Sequence, residues 1–350
     1  MGYGVGEWII DGAHGEGGGQ LVRLAAALAA LTQRVTRIVN IRARRAKPGL
    51  AAQHLAALRA VAALCGGTLT GAELGAREVH FRPGPIRAGR YRFEVGTAGS
   101  VTLVLQALLP VALQAEGPCR VTLTGGTDVA RAPPMDYLRV VLLPWLAQMG
   151  AEVHIVALHR GYYPRGGGEL TLDIVPCRTL RPLLVESAGA LRRITGHAHV
   201  AHLPRHIAER MAAAASNALA DLAPVETTVA VLDDAAATGM GGALTLVAET
   251  NHARLGAAVV AQRGVPAERL GAEAAQALRQ DLASGAALDV HAADQLLIYA
   301  ALAAGDSLFS VRALSSHAET AMWLIAQCLP VRFAVEAQAG RQLVRVHHVR

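Results

Sequence analysis

The chain reads Asp11-Gly12-Ala13-His14-Gly15-Glu16-Gly17-Gly18-Gly19-Gln20 and then enters an alanine- and leucine-rich run over residues 21–31. Glycine clusters are typical of turns, and a long apolar run of this kind favours a buried helix. A β-branched strand (35–42), a loop (43–49), a second helix ending near Cys65 and two strands (67–71 and 78–82) are predicted to follow. This order of elements is the first copy of a pattern that organises the chain.

The pattern recurs twice. The second copy opens at residues 96–100, and the third opens at 289–294. Copies of one βα unit can pack their sheets around a shared axis, which brings equivalent loops together. The second copy is predicted as a helix to about Gln114, a strand (119–124), a loop (125–134), a helix (135–149) and strands near 151–157 and 169–175; the third as a helix to about Ala304, a strand (308–312), a loop with His317, a helix to Cys328 and strands near 331–337 and 341–348.

A segment of roughly a hundred residues, about 181–285, interrupts the pattern. It is interpreted as strands (182–187 and 191–200), a helix begun by Pro204, three strands (226–232, 243–249 and 256–261) and a helix (266–283). The sequence therefore predicts an α/β (α+β) fold. A large domain of three repeated units would span 1–180 and 286–350, with a smaller inserted α/β domain at 181–285.

The composition restricts the function. The formal net charge is +6, the pI is near 9.5, and all basic residues except Lys47 are arginine. Such a balance is compatible with phosphate-rich partners, because guanidinium groups bind phosphate through paired hydrogen bonds. Since Pro48 follows Lys47, the chain has neither a GxxxxGK[ST] phosphate loop nor a ligase-type lysine. Four widely spaced cysteines suggest neither a zinc site nor a disulfide scaffold.

No signal peptide or membrane span is predicted, so a cytoplasmic location and no membrane partner are expected. The apolar runs are too short to cross a bilayer.

Three clusters allow two interpretations each. The turn with Glu16 could bind an anion and a divalent cation at a helix N-terminus, or be a flexible turn. The cations of loop 42–47 could bind an anion or be solvated. The Gly-, Arg- and Tyr-rich residues 160–170 could form a hairpin turn or contact a phosphate-ribose backbone. His317 is either a nucleophile or a helix-capping or solvated histidine.

Motifs along nearly the whole chain, in order, resemble those of the RNA 3'-terminal phosphate cyclase family. The family signature RGxxPxGGGx followed by an aliphatic residue is matched at 160–170. The other matches are EGGGQ (16–20) with Arg23, IRAxRxKPGLxxQH (41–54), GTAGS…LQ (96–106), GGT…AP (125–133), ADQL (293–296) and a histidine before the last helix, His317.

The resemblance implies a ligase forming a phosphoric ester bond: it uses ATP and a divalent cation (Mg or Mn) to convert an RNA 3'-terminal phosphate into a 2',3'-cyclic phosphodiester. A covalent histidine-AMP and then an RNA-adenylate are the implied intermediates. It also implies repeats of two helices on a four-stranded sheet. By motif match, His317, Arg23, Arg42 and Arg45 are catalytic; Arg42, Arg45 and Gln53 bind the RNA substrate; Gln106, Pro133, His291, Asp294, Gln295 and His317 bind the nucleotide; and Glu16 binds the metal.

The chain departs from the family pattern at two positions. His291 stands where some relatives have an aromatic residue that could stack on adenine, and Arg44 stands where glycine is frequent. Arg44 would either add an RNA contact or face water. The alternatives are a catalytically inactive cyclase-like RNA-processing protein, which would lack the histidine, and an enolpyruvyl transferase, which would need more lysines. Homo-oligomer formation is left open.

Overall fold

A computed structural model describes residues 6–349. The predicted large domain also includes residues 1–5 and 350, which lie outside the described residues. Within the described part of the chain, the strands form four sheets, and helices pack against them. The predicted mixed α/β class is therefore confirmed.

Three of these sheets share one strand order. In each, the first strand pairs parallel with the second, and the second, fourth and third strands then pair antiparallel. The third strand lies at an edge of the first and third sheets, whereas a further short strand pairs with it in the second. The first sheet contains β1 (Trp8–Asp11), β2 (Thr36–Val39), β3 (Thr68–Thr70) and β4 (Val79–Arg82); the second contains β5 (Gly89–Glu94), β6 (Cys119–Gly125), β7 (Glu152–Gly161) and β8 (Gly168–Val175); the third contains β9 (Leu184–Val185), β15 (Ser307–Val311), β16 (Val331–Gln338) and β17 (Arg341–His348).

The helices between these strands form the core. Helix α1 (Gly19–Thr32) packs against α2 (Ala52–Leu64), α3 (Val101–Ala112) and α9 (Ser316–Cys328), and α9 also packs against α8 (Val290–Leu302). The residues of α1 from Leu21 to Ala30 are buried except Leu24, which is partly buried. Its many alanines let neighbouring helices approach on several sides, as expected for a helix that is apolar around its circumference.

The helical region between β6 and β7 is irregular. It consists of α4 (Met135–Tyr137), a π-helical turn (Leu138–Leu142) and α5 (Leu143–Gln148), where the sequence predicted one regular helix over 135–149. The carbonyl oxygen of Val140, inside the π turn, accepts a hydrogen bond from Arg254 Nη1 at 3.0 Å. A side chain from another part of the sequence therefore provides a hydrogen bond to the backbone of the irregular turn.

The chain between β9 and α8 forms the fourth sheet. Its strands β10 (Leu191–Ala201), β11 (Val225–Leu232), β13 (Gly241–Thr250) and β14 (Arg254–Val260) pair in the order β11-β10-β13-β14, and α6 (Arg205–Leu219) packs on α7 (Ala267–Ala283). The short strand β12 (Ala237–Thr238) instead extends the second sheet by pairing with β7.

This segment lies directly against the irregular helix and the start of α8. Gly256 of β14 contacts the irregular helix so closely that a Cβ there would lie 2.5 Å from Val141 Cγ2. The backbone N–H of Gly256 donates to Asp289 Oδ2 (2.9 Å), and Tyr137 OH donates to Asp289 Oδ1 (2.6 Å). Because Asp289 also caps α8 by accepting from the N–H groups of His291 and Ala292, one buried carboxylate joins three parts of the chain.

Several predicted elements differ from the observed ones. The opening strands β1 and β5 were not predicted, and the strand predicted over 35–42 is limited to Thr36–Val39. The strand predicted over 182–187 as part of the inserted sheet is reduced to β9, which pairs with β15 instead. Among residues 6–349, no helix is both long and apolar enough to cross a membrane.

Candidate active site

A cavity of about 660 Å³ lies where α1, α2, α3, α8 and α9 meet the 130–134 loop and the inserted segment. This volume is in the range of sites that bind small molecules and cofactors. Nine of the eleven predicted site residues line the cavity: Glu16, Arg23, Gln53, Gln106, Pro133, His291, Asp294, Gln295 and His317. Residues separated by up to about 300 positions in the chain are therefore brought to one place.

His317 lies in the first turn of α9. Ser315 caps this helix by accepting a hydrogen bond from Ala318 N (3.0 Å), and its hydroxyl donates to Asp294 Oδ1 (2.7 Å). The imidazole Nδ1 is 3.7 Å from Glu16 Oε2, and about half of the side chain is exposed. Cap and carboxylate together fix the position of the helix end that presents the imidazole to the cavity.

The environment of His317 keeps its imidazole neutral at pH 7. Partial burial lowers its pKa below the ordinary value, and the positive charges of Arg23 and Arg45 lower it further against the opposing effect of Asp294. Burial in turn raises the pKa of Asp294. A neutral imidazole has a free nitrogen lone pair, which a nucleophile requires.

The glycine-rich turn is attached to α9 by two contacts. The backbone N–H of Glu16 donates to Thr320 Oγ1 (3.1 Å), and the ring of His14 stacks on Trp323 with centroids 3.5 Å apart. Gly15 has a φ of 56°, and a Cβ there would clash with the Thr320 hydroxyl. Only glycine can therefore bring this turn against the helix, which places Glu16 next to the histidine.

Arg23 is a buried cation that faces the cavity. Its side chain reaches Gln106 Oε1 (3.4 Å) through Nη2, its Nε has no hydrogen-bond partner, and it forms no ion pair with a carboxylate of residues 6–349. Burial lowers its pKa to about 10, so it remains charged at pH 7. A buried charge without a counter-ion is costly, and an anionic ligand would neutralise it.

Two amides extend from Arg23 along the cavity. Gln106 Nε2 donates to Gln295 Oε1 (3.0 Å), and Gln295 Nε2 donates to the carbonyl oxygen of His291 (3.0 Å). This chain of hydrogen bonds connects α1, α3 and α8. It positions polar groups on one wall of the cavity.

The arginines of the 42–47 loop are placed differently from the nine lining residues. Arg45 pairs with the carboxylate of Glu16, whereas Arg42 donates through Nη1 to the carbonyl oxygen of Gly49 (2.8 Å). Neither lines the cavity itself. Arg44 donates to the carbonyl oxygens of Ala13 and Gly15, so this unusual arginine ties the loop to the glycine-rich turn.

Some cavity residues had no predicted role. His54 belongs to one of the family motifs, but no role was predicted for it. It is buried, and its Nδ1 accepts a hydrogen bond from Ala51 N (3.1 Å). Burial, together with the charges of Arg23 and Arg42, lowers its pKa to about 3, so it is neutral. Arg131 and a wall of the inserted segment were also not predicted; this wall comprises Ala258, Val259, Val260, Gln262, Leu270 and Glu273.

Glu16 is suited to hold a divalent cation only together with a ligand. Among residues 6–349, no three His, Cys, Asp or Glu side chains are grouped so as to enclose a metal ion. Mg²⁺ is commonly bound by one or two carboxylates together with substrate phosphates and water. One carboxylate beside a cavity suited to an anion fits that arrangement.

A histidine and a buried arginine that has no carboxylate partner among residues 6–349 line one cavity of a mixed α/β fold, an arrangement suited to a phosphate-bearing ligand beside a candidate nucleophile. The chain matches the family model described as RNA 3'-terminal phosphate cyclase over residues 14–335. It belongs to that family.

Curated relatives cover almost the whole chain. A protein of Nitrosospira multiformis is 55% identical over 342 residues, covering 96% of this chain and 95% of the relative. One from Methylococcus capsulatus is 46% identical (97% and 96% covered), and one from Hyperthermus butylicus is 45% identical (92% and 91% covered). Each is named RNA 3'-terminal phosphate cyclase. The predicted family and enzyme class, a ligase, are thus confirmed.

Proposed function

We propose that this chain converts an RNA 3'-terminal phosphate into a 2',3'-cyclic phosphodiester at the expense of ATP, through a covalent adenylate on His317. The observation that supports this most directly is the presence in one cavity of a neutral histidine and of Arg23, a buried cation that has no carboxylate partner among residues 6–349. Such a site is prepared for an anion that a nucleophile then attacks.

In the first step, His317 attacks the α-phosphorus of ATP. A nitrogen–phosphorus bond forms, the bond to the bridging oxygen breaks, and pyrophosphate leaves. Because Nδ1 faces Glu16, we assign Nε2 as the attacking nitrogen. The Nδ1 proton would then point to the carboxylate, which orients the ring and stabilises the charge that develops on it.

The positive groups are proposed to stabilise the phosphates. Arg23 contributes a fixed charge inside the cavity, and Arg45 and Arg42 contribute charge from the adjacent loop, where the RNA phosphate would also bind with Gln53. Glu16 would hold a divalent cation, which neutralises phosphate charge when bound. Preplaced charges of this kind stabilise the transition state without reorganisation.

The remaining residues are proposed to hold the nucleoside. Pro133 and His291 offer apolar or ring surfaces for adenine, while Gln106, Gln295 and Asp294 supply polar groups on the wall shared with His317. The hydrogen bond between Ser315 and Asp294 couples this wall to the nucleophile's helix.

The two later steps transfer the AMP and close the ring. An oxygen of the RNA 3'-phosphate attacks the adenylate phosphorus, and His317 leaves, which produces an RNA-adenylate. The vicinal 2'-hydroxyl then attacks the 3'-phosphorus, loses its proton, and AMP departs. Activation is needed because a phosphate monoester has a poor leaving group, whereas the anhydride releases AMP.

We also propose that the shared strand order reflects three repeated units. These would form a large domain (1–180 and 286–350), and the sheet of β10, β11, β13 and β14 would belong to a smaller inserted domain (181–285), although the short strands β9 and β12 of that range pair with sheets of the large domain. The shared order of the four main strands in three sheets supports this division. The close packing of Gly256 on the irregular helix implies that the inserted domain does not move freely.

Incubation with α-labelled ATP and magnesium, followed by addition of RNA with a 3'-phosphate, tests the proposal. We expect a protein-AMP bond that is labile in acid and stable in alkali, and a phosphatase-resistant RNA end after RNA is added. Absence of both products would favour a catalytically inactive RNA-processing protein.

The pH dependence of adenylation is a further expected outcome. Measured as kcat/KM for ATP, which reports the free enzyme, the rate should fall on acidification with a midpoint below about 6.5, the ordinary pKa of histidine. The sign follows because only neutral imidazole attacks, and a lowered pKa keeps it neutral to lower pH. Arg45→Met, which removes a charge that lowers this pKa, should move the midpoint upward. A midpoint unchanged in Arg45→Met would contradict this explanation.

A further inference from the structure

The 160–168 loop has a buried and an exposed part. Tyr162 is 2% exposed, whereas the adjacent Tyr163 is 77% exposed and Arg165 is also exposed. The loop is closed by a hydrogen bond from Gly166 N to the carbonyl oxygen of Tyr162 (2.7 Å). The buried part of the loop, with Tyr162, therefore holds the ring of Tyr163 and the guanidinium group of Arg165 toward solvent.

Close contacts connect this loop to the cavity. Gly166, with a φ of 66°, lies so near the 96–99 turn that a Cβ would be 2.9 Å from the carbonyl oxygen of Thr97. Gly99 of that turn in turn lies against Gln53, whose Oε1 accepts from Ser100 N at 3.4 Å. Since Gln53 lines the cavity, a series of close contacts connects the end of the cavity where the RNA is proposed to bind with the loop that carries Tyr163 and Arg165.

The inserted segment lies against the same loop. A Cβ on Gly239 would be 3.8 Å from the Cβ of Arg165, and one on Gly167 would be 3.1 Å from Thr238 Cγ2. Met240, which follows Gly239, is 66% exposed. A second exposed apolar side chain therefore stands on the turn that contacts Arg165, and the pairing of β12 with β7 anchors this turn.

The exposed side chains Tyr163, Arg165 and Met240 have the chemical character of a surface that binds single-stranded nucleic acid. Arg165 forms no ion pair or hydrogen bond with any of the residues that the structure describes, so its charge is free for a phosphate. Exposed aromatic rings stack on bases, and adjacent arginines contact the backbone. A chain with a net charge of +6 is attracted to polyanions in any case, but here an exposed aromatic ring stands on a loop that close contacts connect to the cavity.

We propose that Tyr163, Arg165 and Met240 bind the RNA strand on the 5' side of its 3'-phosphate. Tyr163 stacks on a base, Arg165 contacts a phosphate, and Met240 packs against the same base or its neighbour. This proposal rests on the proposed cyclase function, since it takes the direction of the strand from the location of the 3'-end in the cavity.

The test separates RNA binding from adenylation. Tyr163→Ala should raise the KM for a 3'-phosphorylated oligonucleotide of about ten nucleotides by roughly tenfold, because loss of one stacked base typically costs 1–3 kcal/mol. Tyr163→Phe should retain most of the affinity, since the ring is kept. Arg165→Ala should weaken binding and reduce the slope of log K against log salt by about one.

Three comparisons make the result decisive. Self-adenylation with ATP alone should be unchanged in every variant. If the unmodified protein itself failed to adenylate, that result would count against the proposed function and not against the RNA-binding surface. A 3'-phosphorylated dinucleotide, which has only one nucleotide on the 5' side of the reacting end, should be less affected by Tyr163→Ala than the longer oligonucleotide. Arg332→Ala, which removes an exposed arginine from β16, should leave the oligonucleotide KM unchanged. Equal oligonucleotide KM values for Tyr163→Ala and the unmodified chain would overturn the proposal.

Discussion

Replacement of His317 by asparagine is expected to abolish the protein-AMP adduct and to lower RNA cyclisation by at least about a thousandfold. Asparagine retains a polar side chain at the second position of α9, but its amide nitrogen has no available lone pair. The side chain is about half exposed, and Ser315 still caps the helix, so stability should change little. The measurement is the yield of labelled protein after incubation with ATP and magnesium.

A matched control is available at His206. It occupies the same second position of a helix, α6, and is exposed, so His206→Asn introduces the same chemical change away from the cavity. This control should adenylate normally. His317→Asn should also still close the ring of an RNA that carries a preformed 3'-adenylate, because that step does not use the imidazole. Label retained on His317→Asn would rule out this residue as the nucleophile.

Most helices could be predicted, because they are apolar runs, as in α1 and α3, or amphipathic runs that begin after a proline, as in α6 and α7. The opening strands were missed for a physical reason. In β5, Arg90, Arg92 and Glu94 alternate with Tyr91 and Phe93, and an edge strand with an exposed charged face lacks the apolar content of a central strand. Strand β9 has only two residues, and its pairing with a strand more than a hundred residues later has no local signal.

The cavity likewise has features that the sequence predicts and features that depend on tertiary packing. Reactive residue types in recognisable motifs, such as Glu16 and His317, could be found from the sequence. The contribution of Val259 and Val260 could not, because apolar side chains reveal a cavity wall only through tertiary packing. Nor could the isolation of Arg23, since whether an arginine meets a carboxylate depends on every residue folded around it.

The largest loss of stability is expected for Arg160→Met, in the buried ion cluster beneath the 160–168 loop. Arg160 Nη1 donates to both oxygens of Asp128 (3.0 Å each), and Nη2 donates to Asp136 Oδ2 (2.7 Å). All three side chains are almost completely buried. Removing the cation leaves two buried carboxylates without their main counter-ion, which typically costs 3–5 kcal/mol.

The effect of Arg160→Met should extend to the cavity, because Asp128 also holds the loop that carries Pro133. Asp128 Oδ1 also accepts from the backbone N–H of Met135 (3.3 Å), and the hydroxyl of Thr102 donates to the carbonyl oxygen of Pro133 (2.8 Å). Both hydrogen bonds hold the loop that presents Pro133 to the cavity. Arg160→Met should therefore raise the KM for ATP in addition to lowering the midpoint of chemical denaturation.

The dependence on pH distinguishes a charge effect from a packing effect. In the unmodified chain, burial alone would raise the pKa of Asp136, but the hydrogen bond to His199 and the charge of Arg160 hold it well below its ordinary value. Without Arg160, one of the groups that oppose the effect of burial is lost, so the folded-state pKa of Asp136 rises. The ionised carboxylate is then less stabilised in the folded variant, so the deficit should be largest at neutral pH and should shrink as the pH falls into the range where carboxylates protonate.

Arg120→Met is the matched control, because Arg120 forms a similar two-point pair with Asp173 across β6 and β8 while both side chains remain partly exposed. Solvent screens such a pair, so its loss should cost far less stability than the loss of Arg160. Adding Asp128→Asn to Arg160→Met should recover part of the loss, because it removes one of the two uncompensated charges. If Arg160→Met and Arg120→Met proved equally stable, or if the deficit of Arg160→Met did not change with pH, the cluster would owe its contribution to packing and not to charge.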